Sequence, residues 1–285
     1  MDKLDQFLQR AEALLEQVEA ILPAVHVIEP DWQASIAYRW QRGNGRGALQ
    51  PVYHPHKIKL ADLQDINEQK EKVVRNTRQF VNRKPANNVL LTGARGTGKS
   101  SLVKAVLSEF SGQGLRLIEI GKDALSDLPE IIELIDTRSE RFILFCDDLS
   151  FNDAEPGYQA LKAVLDGSVV ALSDNLLIYA TSNRRHLMPE YMQENLATKY
   201  AGDEVHPAEV VEEKISLSER FGMWISFYPF TQDEYLAVAA YWVEQLGLLP
   251  FTDDARREAL QWALGRGSRS GRVAWQFAKD WCGRQ

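Results

Sequence analysis

Apolar and polar positions along this chain follow two rhythms. Phe7, Leu8, Ala11, Leu14, Leu15, Val18, Ile21 and Leu22 recur at spacings of three, four and seven, with charges between them. That is the period of an amphipathic helix, and Pro23 ends it. A charged stretch at about 65–82 is also compatible with a helix. From there, short apolar runs at 89–92, 116–120, 142–146 and 176–181 alternate with helical patterns at about 101–111, 127–137 and 157–166. Strand-length runs separated by crossover helices predict an α/β core whose parallel sheet is covered on both faces. One more apolar run follows at 224–230, and beyond Thr231 the pattern is wholly helical, at 235–246, 255–264 and 273–281. The expected organisation is an N-terminal helix and loop region (1–60), an α/β core (61–230) and a small helical domain (231–285).

With 45% hydrophobic and 26% charged residues, the chain can bury a substantial core, which excludes a disordered or fibrous protein. Charges interrupt the N-terminal apolar positions, so no secretory signal is read there, and no apolar run approaches the roughly 18 residues of a membrane span. Two cysteines make no disulfide framework, and a reducing cytoplasm is the expected compartment. Of the net charge of −7, residues 190–219 carry −6, with eight acids against Lys199 and Lys214. Residues 32–60 hold five basic side chains, Arg39, Arg42, Arg46, Lys57 and Lys59, and no acid, around the turn RGNGRG. This segment reads as a loop or short hairpin with an exposed basic face. Residues 256–285 add seven bases against Glu258 and Asp280, a second candidate footprint for phosphates.

Directly after the first core strand comes GARGTGKSS, where Gly93, Gly98, Lys99 and Ser100 satisfy G-x-x-x-x-G-K-[ST]. Chance would produce that pattern in roughly one such chain in a hundred. From Gly93 through Ala94, Arg95, Gly96, Thr97 and Gly98 to Ser101, such a loop wraps its N–H groups and the next helix N-terminus around a polyphosphate. Lys99 would reach the β- and γ-phosphates, and Ser100 would coordinate Mg²⁺. Lys99 is followed 48 residues later by Asp147 in RFILFCDD, a buried strand that delivers Asp147 as second Mg²⁺ ligand and Asp148 to polarise the attacking water. A third strand ends in Thr181, Ser182 and Asn183, whose neutral amide suits a sensor of the γ-phosphate. His54-Pro-His56 lacks further ligands at metal spacing and reads as loop.

With these three pieces in order, LSERFG at 217–222 and SGR at 270–272, residues 60–285 resemble an AAA+ ATPase, a P-loop NTPase. FCDDLSF, ATSNRRHLMPE and SGRVAWQF are similar to a family of bacterial predicted ATPases with a domain of unknown function. The resemblance implies a five-stranded core, a helical lid at 231–285, ATP at their junction, and homo-oligomers in which one subunit supplies an arginine to its neighbour. It makes Asn183 sensor 1, Arg220 the finger in trans, with Arg184 and Arg185 as competitors, and Arg272 the lid arginine called sensor 2. A guanidinium suits each site because it stays charged and forks onto two phosphate oxygens. Asp148 stands where many relatives have Glu, so slow turnover is expected. The expected activity is Mg²⁺-dependent ATP hydrolysis that drives lid and subunit movement. Two other outputs fit the same residues: a nucleic-acid loader or remodeller whose output is binding, and a scaffolding ATPase that docks a protein client through its N-terminal helix.

Overall fold

The computed structural model describes residues 30–43, 46–151, 156–166, 173–183 and 217–284. The expected N-terminal helix, Arg184, Arg185 and most of the acidic segment lie outside them. Among the described residues, no helix is long and apolar enough to cross a membrane.

Seven strands form one sheet in the order β2-β1-β4-β5-β6-β3-β7. They are β1 (Ala37–Gly43), β2 (Arg46–Pro51), β3 (Val89–Gly93), β4 (Leu115–Ile120), β5 (Arg141–Cys146), β6 (Leu176–Ser182) and β7 (Met223–Phe227). All neighbours run parallel except the hairpin β1–β2. Side chains alternate between two apolar layers: Leu117, Ile143, Phe145, Leu91 and Tyr179 face one way, and Ile118, Leu144, Leu90, Ile178 and Ala180 face the other. Burial on both faces is why these strands read as near-continuous apolar runs.

The first layer is covered by α1 (Asn67–Val81) and α2 (Lys99–Phe110), and the second by α3 (Leu128–Ile135) and α4 (Pro156–Leu165). The C-terminal bundle, α5 (Gln232–Gly247), α6 (Asp253–Arg266) and α7 (Gly271–Gly283), continues the first apolar layer through Tyr235, Ala239, Ala274 and Phe277. Each of these three helices starts on a hydroxyl cap: Thr231 receives Glu234 N–H, Thr252 receives Ala255 N–H, and Ser270 receives Val273 N–H. At α5 the box is reciprocal, because Glu234 also accepts the Thr231 N–H at 2.7 Å.

The expected core of five strands is therefore extended by two. Residues 37–51 form a hairpin that joins the sheet beside β4, and two of the five bases expected on an exposed face, Arg39 and Arg42, are paired with acids. Arg39 pairs with Glu119 at 3.2 Å, and Arg42 grips Asp127 with two guanidinium nitrogens. Asp127 is only 4% exposed and also accepts the indole N–H of buried Trp40 at 2.8 Å. Burial alone would raise the Asp127 pKa, but the bonds from Arg42 and Trp40 outweigh it and hold the carboxyl below its usual range.

Asp127→Ala strands the Trp40 indole N–H and should cost about 2 kcal/mol in chemical denaturation. Because the folded pKa is depressed, this increment should be present above the unfolded carboxyl pKa and be lost as pH falls through the folded one. A variant as stable as wild type at neutral pH would show that the anchor contributes nothing.

Candidate functional site

Parallel strands place their C-terminal ends along one edge of the sheet, and three of them deliver polar groups there: β3 leads into the loop 93–98, β5 into Asp147 and Asp148, and β6 into Asn183. The loop is shaped by glycines. Gly93 has φ 127°, and a Cβ on it would lie 1.9 Å from the Phe227 carbonyl oxygen. β7 thus lies directly behind the loop, and Ala94 N–H also donates to Phe227 O at 3.3 Å. Gly96 has φ 76°, and a Cβ there would meet Ser270 Oγ at 2.7 Å, so its absence lets the start of α7 rest on the loop. Thr97 Oγ1 closes the turn onto Ala94 O at 2.8 Å.

Lys99 opens α2 and is 5% exposed. Its Nζ donates to the carbonyls of Gly93 at 2.8 Å and Ala94 at 2.7 Å, and to Asn183 Oδ1 at 3.1 Å. Burial pushes the Lys99 pKa down to about 8, with Asp148 and Asp147 opposing and Arg95 and Arg272 reinforcing the shift. The Asn183 amide also donates to Asp148 Oδ1, so Lys99, Asn183 and Asp148 form a relay. Asp148 has φ 52°, a left-handed conformation that stores strain. A second cluster lies beside it. Ser100 Oγ and Thr181 Oγ1 each donate to Asp147 Oδ1 at 2.6 Å, while Thr181 Oγ1 accepts the Asp148 N–H at 2.9 Å.

These groups line a cavity of about 930 Å³. Arg95, Gly96, Thr97, Gly98, Lys99, Ser100 and Ser101 form one wall and Asp147, Asp148, Thr181 and Asn183 another. Gly93 and Ala94 are not at its surface; they back the loop against β7. Arg272 reaches the cavity from the first turn of α7, where its N–H also donates to Gly96 O at 3.4 Å. The N-termini of α2 and α7 thus converge on one space, a favourable place for an anion.

Arg220 is not among the lining residues and pairs within the chain with Asp166. Sequence reasoning missed Thr181 as a bridge from the Asp147 carboxylate to the Asp148 backbone N–H. It also missed the apolar wall, where Ile58 and Leu63 from the segment before α1 stand with Trp242 of α5 and Trp275 of α7. Only an aromatic outside the buried stripe of α7 hints at that wall, since Trp275 remains 39% exposed beside buried Val273, Ala274, Phe277 and Ala278. His56 lines the same cavity, and among the described residues no group of three or more His, Cys, Asp or Glu side chains could hold a metal ion. Ser100 and Asp147 nevertheless supply the hard oxygens that Mg²⁺ takes when phosphates and waters complete its shell.

The strand order β4-β5-β6-β3-β7 with the phosphate loop after β3 and a helical bundle behind it is the P-loop fold of the AAA+ type. The chain belongs to the family described as "Protein of unknown function (DUF815)", whose model matches residues 33–285. No curated protein matches it. Among solved structures it is similar to the RuvB Holliday junction branch migration motor of Thermotoga maritima, at 18% identity and TM-score 0.50 over 78% of this chain and 63% of that one. It is also similar to the Aeropyrum pernix Orc1 protein, solved in complex with DNA, at 13% identity and TM-score 0.53 over 76% and 61%. A DNA replication initiation factor matches at 16% identity and TM-score 0.50, over 78% and 63%. The chain thus spans less than two thirds of each of these proteins, and at such identities the likeness concerns the fold.

Gly93→Ala combines a strained φ with a backbone clash and should cost about 3 kcal/mol or more in thermal or chemical denaturation. Gly112→Ala, with nothing within 4 Å of the new Cβ, serves as the neutral control. Equal stability of the two variants would contradict the close packing of the loop on β7.

Proposed function

We propose that this protein binds ATP with Mg²⁺ in the 930 Å³ cavity, hydrolyses it slowly, and transmits the presence of the γ-phosphate to its helical lid. The observation that carries this reading is the relay from Lys99 through Asn183 to Asp148, at the foot of a glycine loop that opens onto the cavity. The loop and the α2 N-terminus hold the polyphosphate, and Trp242, Trp275 and Ile58 enclose the remainder of the nucleotide. Ser100 and Asp147 would hold Mg²⁺, which would supply neutralisation of the phosphate charge.

A γ-phosphate draws the Lys99 ammonium away from the Gly93, Ala94 and Asn183 oxygens. The Asn183 amide then turns toward the phosphate and the attacking water, and Asp148 is released from its amide partner. Asp148 takes the water proton as the water oxygen bonds to the γ-phosphorus. The bond to the β-phosphate oxygen breaks, leaving ADP and phosphate. The aspartate is one methylene shorter than a glutamate, which lengthens its distance to the water and suits slow turnover. Arg272 and the first turn of α7 sit on Gly96, so any displacement of the loop moves the lid.

Arg220 acts in this reading from a neighbouring subunit, since it lies outside the cavity of its own chain. A homo-oligomer follows, and leaving Asp166 is the cost of engagement. A nucleic-acid or protein client is the alternative output. The nucleic-acid version draws less support from the two basic segments than their composition suggests. Arg39 and Arg42 are paired with acids, as are Arg257 with Asp254 and Arg284 with Glu258 and Asp280.

The test is ATPase rate against protein concentration with ATP affinity measured alongside. Lys99→Ala should weaken ATP binding roughly 10–100-fold through loss of charge-assisted bonds. Asp148→Asn should keep affinity and lower kcat by about 10²–10⁴. Specific activity should rise with concentration in wild type and stay flat and low in Arg220→Ala. ATP affinity unchanged in Lys99→Ala would overturn the site, and concentration-independent turnover would overturn the trans arginine.

A further inference from the structure

The opposite end of the sheet holds a second cavity, of about 430 Å³, where β5 and β6 begin and α1 ends. Its floor is apolar, from Phe80 and Leu177, and its rim carries Arg83, Lys84 and Arg141 against Asp174. Arg141 lies over the Phe80 ring at 5.2 Å and donates to the backbone carbonyl of Asp174. Burial, reinforced by the repulsion of Arg83, lowers the proton affinity of Arg141.

The backbone beneath Arg83 is strained in a way that favours another residue. Arg83 N–H donates to Phe80 O at 3.0 Å and Lys84 N–H to Gln79 O at 2.9 Å, the paired bonds of a Schellman ending to α1. Arg83 occupies the left-handed position of that motif, with φ 57°, where glycine is the residue of least strain. An arginine here works against the backbone and places its guanidinium at the cavity.

We propose that this cavity is a second ligand site, separate from the phosphate loop, that takes a small phosphate monoester carrying an apolar or aromatic body. Three cations against one carboxylate leave a charge of +2, which a phosphate monoester dianion matches and a carboxylate or a phosphodiester does not. Two guanidinium forks fit tetrahedral phosphate oxygens, and the apolar lining of Pro85, Ala86 and Leu177 accepts the body. The volume lies within the ~300–1,000 Å³ range of small-molecule sites.

Phenyl phosphate is the probe, titrated calorimetrically into the full chain at low salt, with inorganic phosphate, benzoate and a single-stranded oligonucleotide as comparisons. Phenyl phosphate should bind saturably at millimolar concentration and more tightly than each comparison. Arg83→Gly should weaken it about tenfold or more while its Tm is unchanged or higher, since glycine relieves the left-handed strain. Lys84→Ala should weaken it in the same direction, and Lys99→Ala should leave it within about twofold, because the phosphate loop is not involved. No binding, or binding insensitive to Arg83→Gly, overturns the proposal, as does loss in Lys99→Ala alone. Benzoate or inorganic phosphate binding as tightly as the ester overturns it too, by showing that the dianion or the apolar floor plays no part. An oligonucleotide that displaces the probe at equal phosphate concentration would also overturn it and mark the cavity as a nucleic-acid contact.

Discussion

A lysine ammonium has three hydrogens to satisfy, and one that is only 5% exposed must find protein oxygens for them. Lys99 finds three: two carbonyls of its own loop and the side chain of Asn183. Two further constraints depend on this arrangement. The carbonyls can turn inward only because Gly93 tolerates φ 127° and lets β7 pack against it. Asn183 can receive the ammonium only because β6 pairs in parallel with β3, in register from Val89↔Tyr179 to Thr92↔Ser182. A pKa of about 8 expresses the compromise, with burial disfavouring the charge and Asp148 and Asp147 retaining it.

The same loop bears on the C-terminal bundle. Gly96 leaves room for Ser270, which caps α7, and Arg272 follows in the first turn with its N–H on Gly96 O. A second tie joins bundle and core beside the cavity, where Tyr241 of α5 donates to Asp62 Oδ1 at 2.9 Å. Asp62 is itself held by the Lys59 N–H at 2.9 Å. Loop, bundle and the segment before α1 therefore meet around one cavity.

Most of the sheet was legible from the chain because β3, β5 and β6 are buried on both faces and are largely apolar. The glycine loop between β3 and α2 was legible because its residues are consecutive. The hairpin at 37–51 was not read as part of the sheet, since Arg39 and Arg42 look solvated until Glu119 and Asp127 are brought beside them from 80 and 85 positions away. The apolar wall of the cavity was hidden for the same reason: Ile58, Trp242 and Trp275 are remote in sequence and meet only in the fold. Helices α5, α6 and α7 begin two or three residues before their apolar period, at polar caps that the period does not register. Arg220 illustrates the reverse, for its partner Asp166 lies 54 residues away and no local pattern announces the pair.

The central claim is that the Lys99 ammonium exchanges loop carbonyls and Asn183 for phosphate oxygens. NMR of the labelled lysine ε-carbons, titrated with pH in the presence and absence of a non-hydrolysable ATP analogue and Mg²⁺, tests it directly, with Lys99→Arg identifying the signal. One lysine should titrate at about 8 without nucleotide and move toward the ordinary range, about 10.4, when the phosphates supply negative charge. A Lys99 signal that keeps the same pKa in both states would contradict the account.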